Sequence, residues 1–261
     1  MSEPTEPKEV RKLTGIEWTL LGLGLLVLIA IGAITLLRSR GEAQEGSAIG
    51  TLRSLATSQA MWESCAQVDQ DCDGIGEYAL LGEMAGTTRR RTSVDCTGNA
   101  GEQLWGPRAN PTFLTPFLGP KGDNPWGTKS GYHFQIFLPG KQQCITDHGP
   151  ADPILLNYNL KEEAAIINVQ ETKFRAYAWP VAGRFHATRC FVVDQAAEVL
   201  SAGNTKGSGE ETVLIYQGES QTPGYSAATP HADKPETPET MESNCQPGLG
   251  RDGQTWIKLS N

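Results

Sequence analysis

The chain has 261 residues, 38% of them apolar and 20% charged, which suffices for one sizeable domain or two small ones and excludes a wholly disordered chain. Thirty acidic residues against 22 basic ones set the formal net charge at −8, so this surface offers no electrostatic attraction to a nucleic-acid backbone, and nucleic acid is excluded as a partner. With 29 glycines and 16 prolines, the composition favours turns and strands over long helices. The first predicted element departs from that average. From Trp18 to Leu37 the chain carries twenty residues without a charge. As a helix they extend roughly 30 Å, the hydrocarbon thickness of a bilayer. A cleavable secretory signal would be shorter and end at small residues, whereas this run ends in Leu36-Leu37-Arg38-Ser39-Arg40. The expectation is a transmembrane helix over 13–40 behind a short cytoplasmic tail, 1–12.

Lys8, Arg11 and Lys12 precede the span and Arg38 and Arg40 follow it, so the positive-inside bias places the N-terminus in the cytoplasm. All six cysteines, Cys65, Cys72, Cys96, Cys144, Cys190 and Cys245, lie after the span, and none forms a CxxC pair of the zinc or redox type. An even, widely spaced set reads as disulfides in an oxidising compartment, with buried free thiols in a reduced domain as the alternative. Six cysteines allow fifteen full pairings, about which the spacing says nothing. The expected protein is single-pass in the cytoplasmic (inner) membrane, with a periplasmic or extracellular head over 41–218 and a C-terminal extension over 219–261.

The junction before the span, Lys12-Leu13-Thr14-Gly15-Ile16-Glu17, resembles the class III leader of type IV pilins and type II secretion pseudopilins. That leader is a glycine, a cleavage point, then FTLIE and an apolar helix. LTGIE lies on FTLIE with Thr14, Ile16 and Glu17 in register, and Lys12 stands where the family has glycine. The resemblance implies an α+β, pilin-like fold: a long N-terminal transmembrane helix followed by a head with an antiparallel β-sheet. It implies a structural subunit of a secretion or pilus-type filament. Its partners would be membrane lipid, other pilin-like subunits or secretion machinery, and a prepilin peptidase cutting between Lys12 and Leu13. Glu17 would pair with the N-terminal amine of a neighbouring subunit. On physical grounds, too, an ionisable side chain beside a span is a functional candidate, because stranding it in lipid is costly. An interfacial carboxylate facing water is the alternative. The competing role is a permanently anchored extracytoplasmic binding or scaffold protein that enters no filament.

Past the membrane, Ser47–Trp62 places Ile49, Leu52, Leu55, Ala56 and Gln59 near one face of a 3.6-period helix, the pattern of a core-facing stripe. Gly76–Gly86, GEYALLGEMAG, resembles the GEYG-type segment of pilin-like proteins, where a short second helix lies over the sheet. Between these two sits Asp69-Gln70-Asp71-Cys72-Asp73-Gly74-Ile75-Gly76-Glu77. Three Asp at alternate positions before a glycine open an EF-hand-like loop, in which oxygen ligands converge on a hard cation, favouring calcium. Ile75 would offer its carbonyl, and Glu77 a direct or water-mediated contact. Leu80 at the twelfth position, where an EF-hand needs glutamate, excludes a true EF-hand. The alternative is an Asp/Gly turn whose side chains cap the next helix, and a Cys65–Cys72 disulfide would pin the loop's first half.

Residues 87–130 read as a long surface loop, with a solvated arginine run at 89–91 and with Trp105, Phe113, Phe117 and Trp126 anchored in the core. Strand signals follow at Tyr132–Leu138, Phe174–Trp179, Thr188–Val193, Val199–Ser201 and Thr212–Tyr216, spaced for an antiparallel meander. Asn159–Gln170 reads as an inserted helix capped by Asn159. Glu219–Pro247, rich in Thr, Pro, Ser and Glu, reads as a mobile extension that Cys245 tacks down. GxSxG, HExxH and P-loop motifs do not occur, and His133, His148, His186 and His231 stand apart from one another, so the reading is not an enzyme.

Overall fold

The charge-free run lies inside one 50-residue helix, α1 (Gly15–Ser64), in a computed structural model that describes residues 15–91, 106–122, 124–140, 144–147, 160–181, 188–206, 213–229 and 244–259. The chain divides into two compact units at Arg40/Gly41. In the first unit α1 exposes its large apolar side chains all round, Trp18 at 64% and Leu28 at 67% among them. An eighteen-residue window within it has a mean hydropathy of 2.8 and no buried residue, long and apolar enough to cross a membrane. Its hydroxyls are satisfied within the helix: Thr19 donates to the Ile16 carbonyl (2.8 Å), Thr35 to Gly32 (2.9 Å) and Ser39 to Leu36 (3.0 Å). Such back-bonding leaves these groups no need of water, which suits an apolar surround.

In the second unit α1 becomes amphipathic. Ala48, Leu52, Leu55, Ala56 and Trp62 are buried and Ile49 packs beside them, as the sequence stripe predicts. Gln59 belongs to the same buried face for a polar reason. Its Nε2 donates to the Ala79 carbonyl (2.7 Å) while its Oε1 accepts from the Ala79 N–H (2.8 Å), so one amide satisfies both backbone groups of a chain segment outside any sheet. Arg189 bridges to Glu45 at 2.6 Å, fixing this part of α1 beside the start of a central strand.

The head is α+β. Its sheet has seven antiparallel strands: β1 (Gly127–Lys129), β2 (Tyr132–Phe137), β3 (Arg175–Pro180), β4 (Cys190–Asp194), β5 (Val199–Ala202), β8 (Gly248–Leu249) and β9 (Thr255–Lys258), in the spatial order β1-β2-β3-β4-β5-β9-β8. Period-two alternation splits the side chains between two cores. Phe134, Ile136, Ala176, Ala178, Phe191 and Val193 face the cluster that contains α1. Phe137, Tyr177, Trp179, Val192, Leu200 and Trp256 form a second cluster with Tyr216, Tyr225, Ala227 and Ala228. Both faces are therefore covered, which is why every residue of β2, β3, β4 and β5 is buried. Helix α3 (Leu160–Thr172) takes the place of the expected inserted helix, with Asn159 outside the described residues. Helix α2 is a single turn, Leu81–Met84, within the GEYALLGEMAG segment.

Four expectations need correction. The C-terminal extension is not separate from the head: 248–258 supplies two sheet strands and 225–228 lies in the second core. Residues 87–130 are not only a surface loop, since they include a 3-10 turn (Pro116–Leu118) and strand β1, and Gly127 lies so close to the Leu118 carbonyl that a side chain there would collide with it. Phe117 is 60% exposed under the Lys121 ammonium instead of anchoring the core; Phe113 and Trp126 do pack against core clusters, and Trp105 lies outside the described residues. The described part of the run 212–216, residues 213–216, adds no strand to the meander. Only Val213–Leu214 (β7) pairs, with Thr205–Lys206 (β6), because the Asn204 side chain takes both the N–H (2.7 Å) and the carbonyl (2.8 Å) of Tyr216 while β9 occupies the edge of β5.

The cysteines also differ from the expectation of full pairing. Cys65, Cys190 and Cys245 carry free thiols. Cys72 is disulfide-bonded, but not to Cys65. Cys190, Cys245 and Cys144 pack in or against the second core, and burial pushes the Cys245 thiol up to about 12, so it stays a small protonated apolar group. Cys96 lies outside the described residues.

Candidate functional site

The loop that ends α1 and the segment leading to α2 carry four acidic side chains, Asp69, Asp71, Asp73 and Glu77. The left-handed conformations of Cys72 (φ 63°) and Gly74 (φ 90°) turn the chain back on itself, so that the alternate aspartates point inward. One oxygen of each aspartate shapes the turn: Asp69 Oδ2 accepts from the Gly74 N–H (3.2 Å), Asp71 Oδ1 from Asp73 (3.3 Å) and Asp73 Oδ1 from Ile75 (2.7 Å). One carboxylate oxygen from each of Asp69, Asp71 and Asp73 lies within 4.8 Å of the others. These aspartates cap their own loop and not the next helix. At α2 that role falls to Glu83, whose Oε2 accepts from the Leu80 N–H at 2.8 Å.

Glu77 is fully buried behind the turn. Its Oε1 accepts from the Gln70 N–H (2.6 Å) and its Oε2 has no hydrogen-bond partner among the described residues. Burial raises its pKa to about 7 against the opposing pull of Arg91. Ile75 is exposed at the tip of the turn. Glu171, near the C-terminal end of α3, was invisible to motif reading. Its pKa is raised to about 7 by desolvation and then by the negative charge of Asp73, Asp71, Glu77 and Asp69. A signal for it does exist in the sequence: a glutamate in the last turn of a helix opposes the helix dipole and calls for a positive partner.

Beside this acidic group lies a buried ion pair. Arg91, the last of the three arginines, is 2% exposed, which corrects the expectation of a solvated run. Its Nε reaches Glu83 Oε1 at 3.1 Å, its Nη1 donates to Gln170 Oε1 at 2.6 Å and its Nη2 donates to the Tyr78 carbonyl. Arg90 bonds Gln67 (2.7 Å) and the Pro107 carbonyl (2.9 Å), and Arg89 is exposed. Asp147 completes the group, accepting the Gly82 N–H at 3.1 Å with each oxygen.

Burial, then the Glu83 charge, raises the Asp147 pKa from 3.8 to about 7, against the opposing Gly82 and Arg91 contributions. Between those two values the unfolded chain has lost a proton that the folded chain keeps, so stability falls as pH rises through the window and then levels off. Asp147→Asn is expected to flatten that part of a stability-versus-pH curve measured by urea denaturation. An unchanged slope would show that Asp147 does not titrate there.

Lys12 and Leu13 lie outside the described residues, and Glu17 falls within α1 with its side chain not described. His133, on β2, sits between the Trp126 and Trp179 rings (5.7 and 5.5 Å) with Nδ1 2.9 Å from Thr128 Oγ1; His148, His186 and His231 lie outside the described residues. No family model, no curated protein and no solved structure matches this chain.

Proposed function

We propose that the protein is a membrane-anchored, pilin-like or pseudopilin-like structural subunit of a secretion or pilus-type filament, with its N-terminus in the cytoplasm and its head in the periplasm or outside the cell. The observation that carries this reading is α1. One helix is exposed and apolar all round before Arg40, as a lipid-stored or helix-bundled segment requires, and one-sided after Gly41, where it serves the head as a core element. The leader-like LTGIE junction adds the assembly residues: Leu13 as the new N-terminus after cleavage and Glu17 as the acceptor of a neighbour's amine. Lys12 in place of glycine favours the second reading, a permanently anchored extracytoplasmic binding or scaffold protein.

Protease added to spheroplasts is expected to digest the head while α1 resists extraction by carbonate. A protected head released by carbonate would reject the anchor. Intact mass after co-expression with a prepilin peptidase separates the two roles. Loss of residues 1–12 supports filament entry, whereas an intact N-terminus, with Glu17→Ala leaving assembly unchanged, supports the anchored protein.

A further inference from the structure

On the second face of the sheet, His133 occupies a slot between two indoles. It lies across from Thr128 on β1 and from Trp179 on β3, with its ring 5.7 Å from that of Trp126 and 5.5 Å from that of Trp179. The residue is 4% exposed. Its Nδ1 lies 2.9 Å from Thr128 Oγ1, and its Nε2 is buried with no hydrogen-bond partner among the described residues. A neutral imidazole has one N–H and one acceptor nitrogen, and the Thr128 hydroxyl serves either, whereas an imidazolium carries an N–H on both nitrogens. Protonation here therefore places a charge out of water and gives it a donor that nothing accepts. The charged and titratable side chains of the neighbouring strands are turned elsewhere. Lys129 of β1 donates to Thr51 of α1 (3.1 Å), Tyr132 of β2 faces the first core, and Arg175 and Tyr177 of β3 both donate to the Tyr225 carbonyl. Glu219, exposed on the turn 217–221, is the acid whose charge acts on the ring.

That turn is clipped to the end of β3 beside the slot. Trp179 Nε1 donates to the Gly218 carbonyl (2.8 Å), the Gly218 N–H donates to the Pro180 carbonyl (3.0 Å), and the Gln217–Gln221 bridge closes the turn. Trp179 thus packs on His133 with its ring and holds the turn with its N–H. Trp126 is half-buried and Glu219 exposed, so a His133 ring driven toward water leaves past the turn. We propose that His133 is an acid-sensitive latch: protonation of its ring in the slot between Trp126 and Trp179 releases the turn 217–221 from β3, so that the segment 213–229 covering the second face of the sheet loosens as the surroundings acidify. Burial holds the His133 pKa below the ordinary 6.5, with the Glu219 charge opposing. Once the turn is open the ring regains its ordinary value. The hold on the turn is therefore complete above 6.5, weakens as pH falls below it, and levels off when the closed form is itself protonated.

The experiment titrates the full chain, carrying isotope-labelled histidine, in detergent micelles by NMR, with His133→Gln assigning the signal. The His133 ring is expected to titrate below 6.5. Amide hydrogen exchange, read by mass spectrometry on peptides and corrected for the intrinsic effect of pH, gives the second measurement. On acidification below 6.5, peptides from 213–229 should lose about tenfold or more of their protection while peptides from β4 keep theirs. His133→Gln should retain its protection over the same range. Glu219→Gln changes an exposed side chain and should fold as the parent does. It should lower the His133 midpoint and deepen the loss of protection, because it removes the charge that favours the imidazolium. A ring that titrates at or above 6.5, as it would if the two indoles stabilised the cation, overturns the proposal. So does equal protection of 213–229 on the two sides of that pH in the parent, an acid-induced loss that persists in His133→Gln, or an unchanged midpoint in Glu219→Gln.

Discussion

Replacing Arg91 with methionine is expected to cost about 3–5 kcal/mol, the range for removing one partner of a buried ion pair. The guanidinium is the buried cation facing Glu83, and its charge also lowers the pKa of Glu77 and Asp147. Taking it away leaves the Glu83 carboxyl buried without its cation, strips Gln170 Oε1 of its shorter hydrogen bond and removes the Arg91 donor from the Tyr78 carbonyl. The double variant Glu83→Gln, Arg91→Met should recover a good part of the loss, since the unpaired charge disappears with its partner. Arg89→Met, at the exposed neighbour, should stay within about 0.5 kcal/mol of the parent. Urea denaturation of the full chain, followed by tryptophan fluorescence, measures all three. Equal, small effects for Arg89 and Arg91 would refute the burial of the Arg91 pair.

The second large effect is expected at Trp256, where Trp256→Ala should cost about 3–5 kcal/mol. Its ring is fully buried in the second core, edge-on to Tyr177 with centroids 6.1 Å apart, and its Nε1 donates to Asp252 Oδ1 at 3.3 Å. Ile257, the next residue, points the other way from the same strand and is 54% exposed, so Ile257→Ala should change stability little. The contrast between two adjacent apolar residues reports directly on β9. If the C-terminal segment lay free of the sheet, the two substitutions would have the same small effect.

Much of the head is legible one element at a time. The stripe Ile49, Leu52, Leu55, Ala56 and Gln59 marks a core-facing helix, and β2 to β5 coincide closely with the β-branched and aromatic runs. The acidic turn is legible too, because Asp-x-Asp-x-Asp-Gly specifies both the carboxylates and the left-handed glycine that brings them together. The burial of Glu171 is not legible, because the local pattern of α3 would be the same wherever that helix docked, and only tertiary packing takes this carboxylate out of water. Arg91 shows the same limit: Thr-Thr-Arg-Arg-Arg looks like a solvated run, and burial of its last member depends on a pocket built by Glu83, Tyr78 and Gln170.

By itself the sequence determined the features that rest on neighbours within a turn or two: a charge-free helix long enough for a bilayer, the apolar face of its continuation, the period-two strands and the aspartate turn. The tertiary structure decided which distant segments complete one another. A four-residue strand such as Thr255–Lys258 has too few residues for its alternation to stand out, and it becomes a strand because β5 offers an open edge and the second face of the sheet needs covering. Pairing of an edge and burial of a charge are both energies between residues far apart in the chain, and they exist only once folding has brought those residues together.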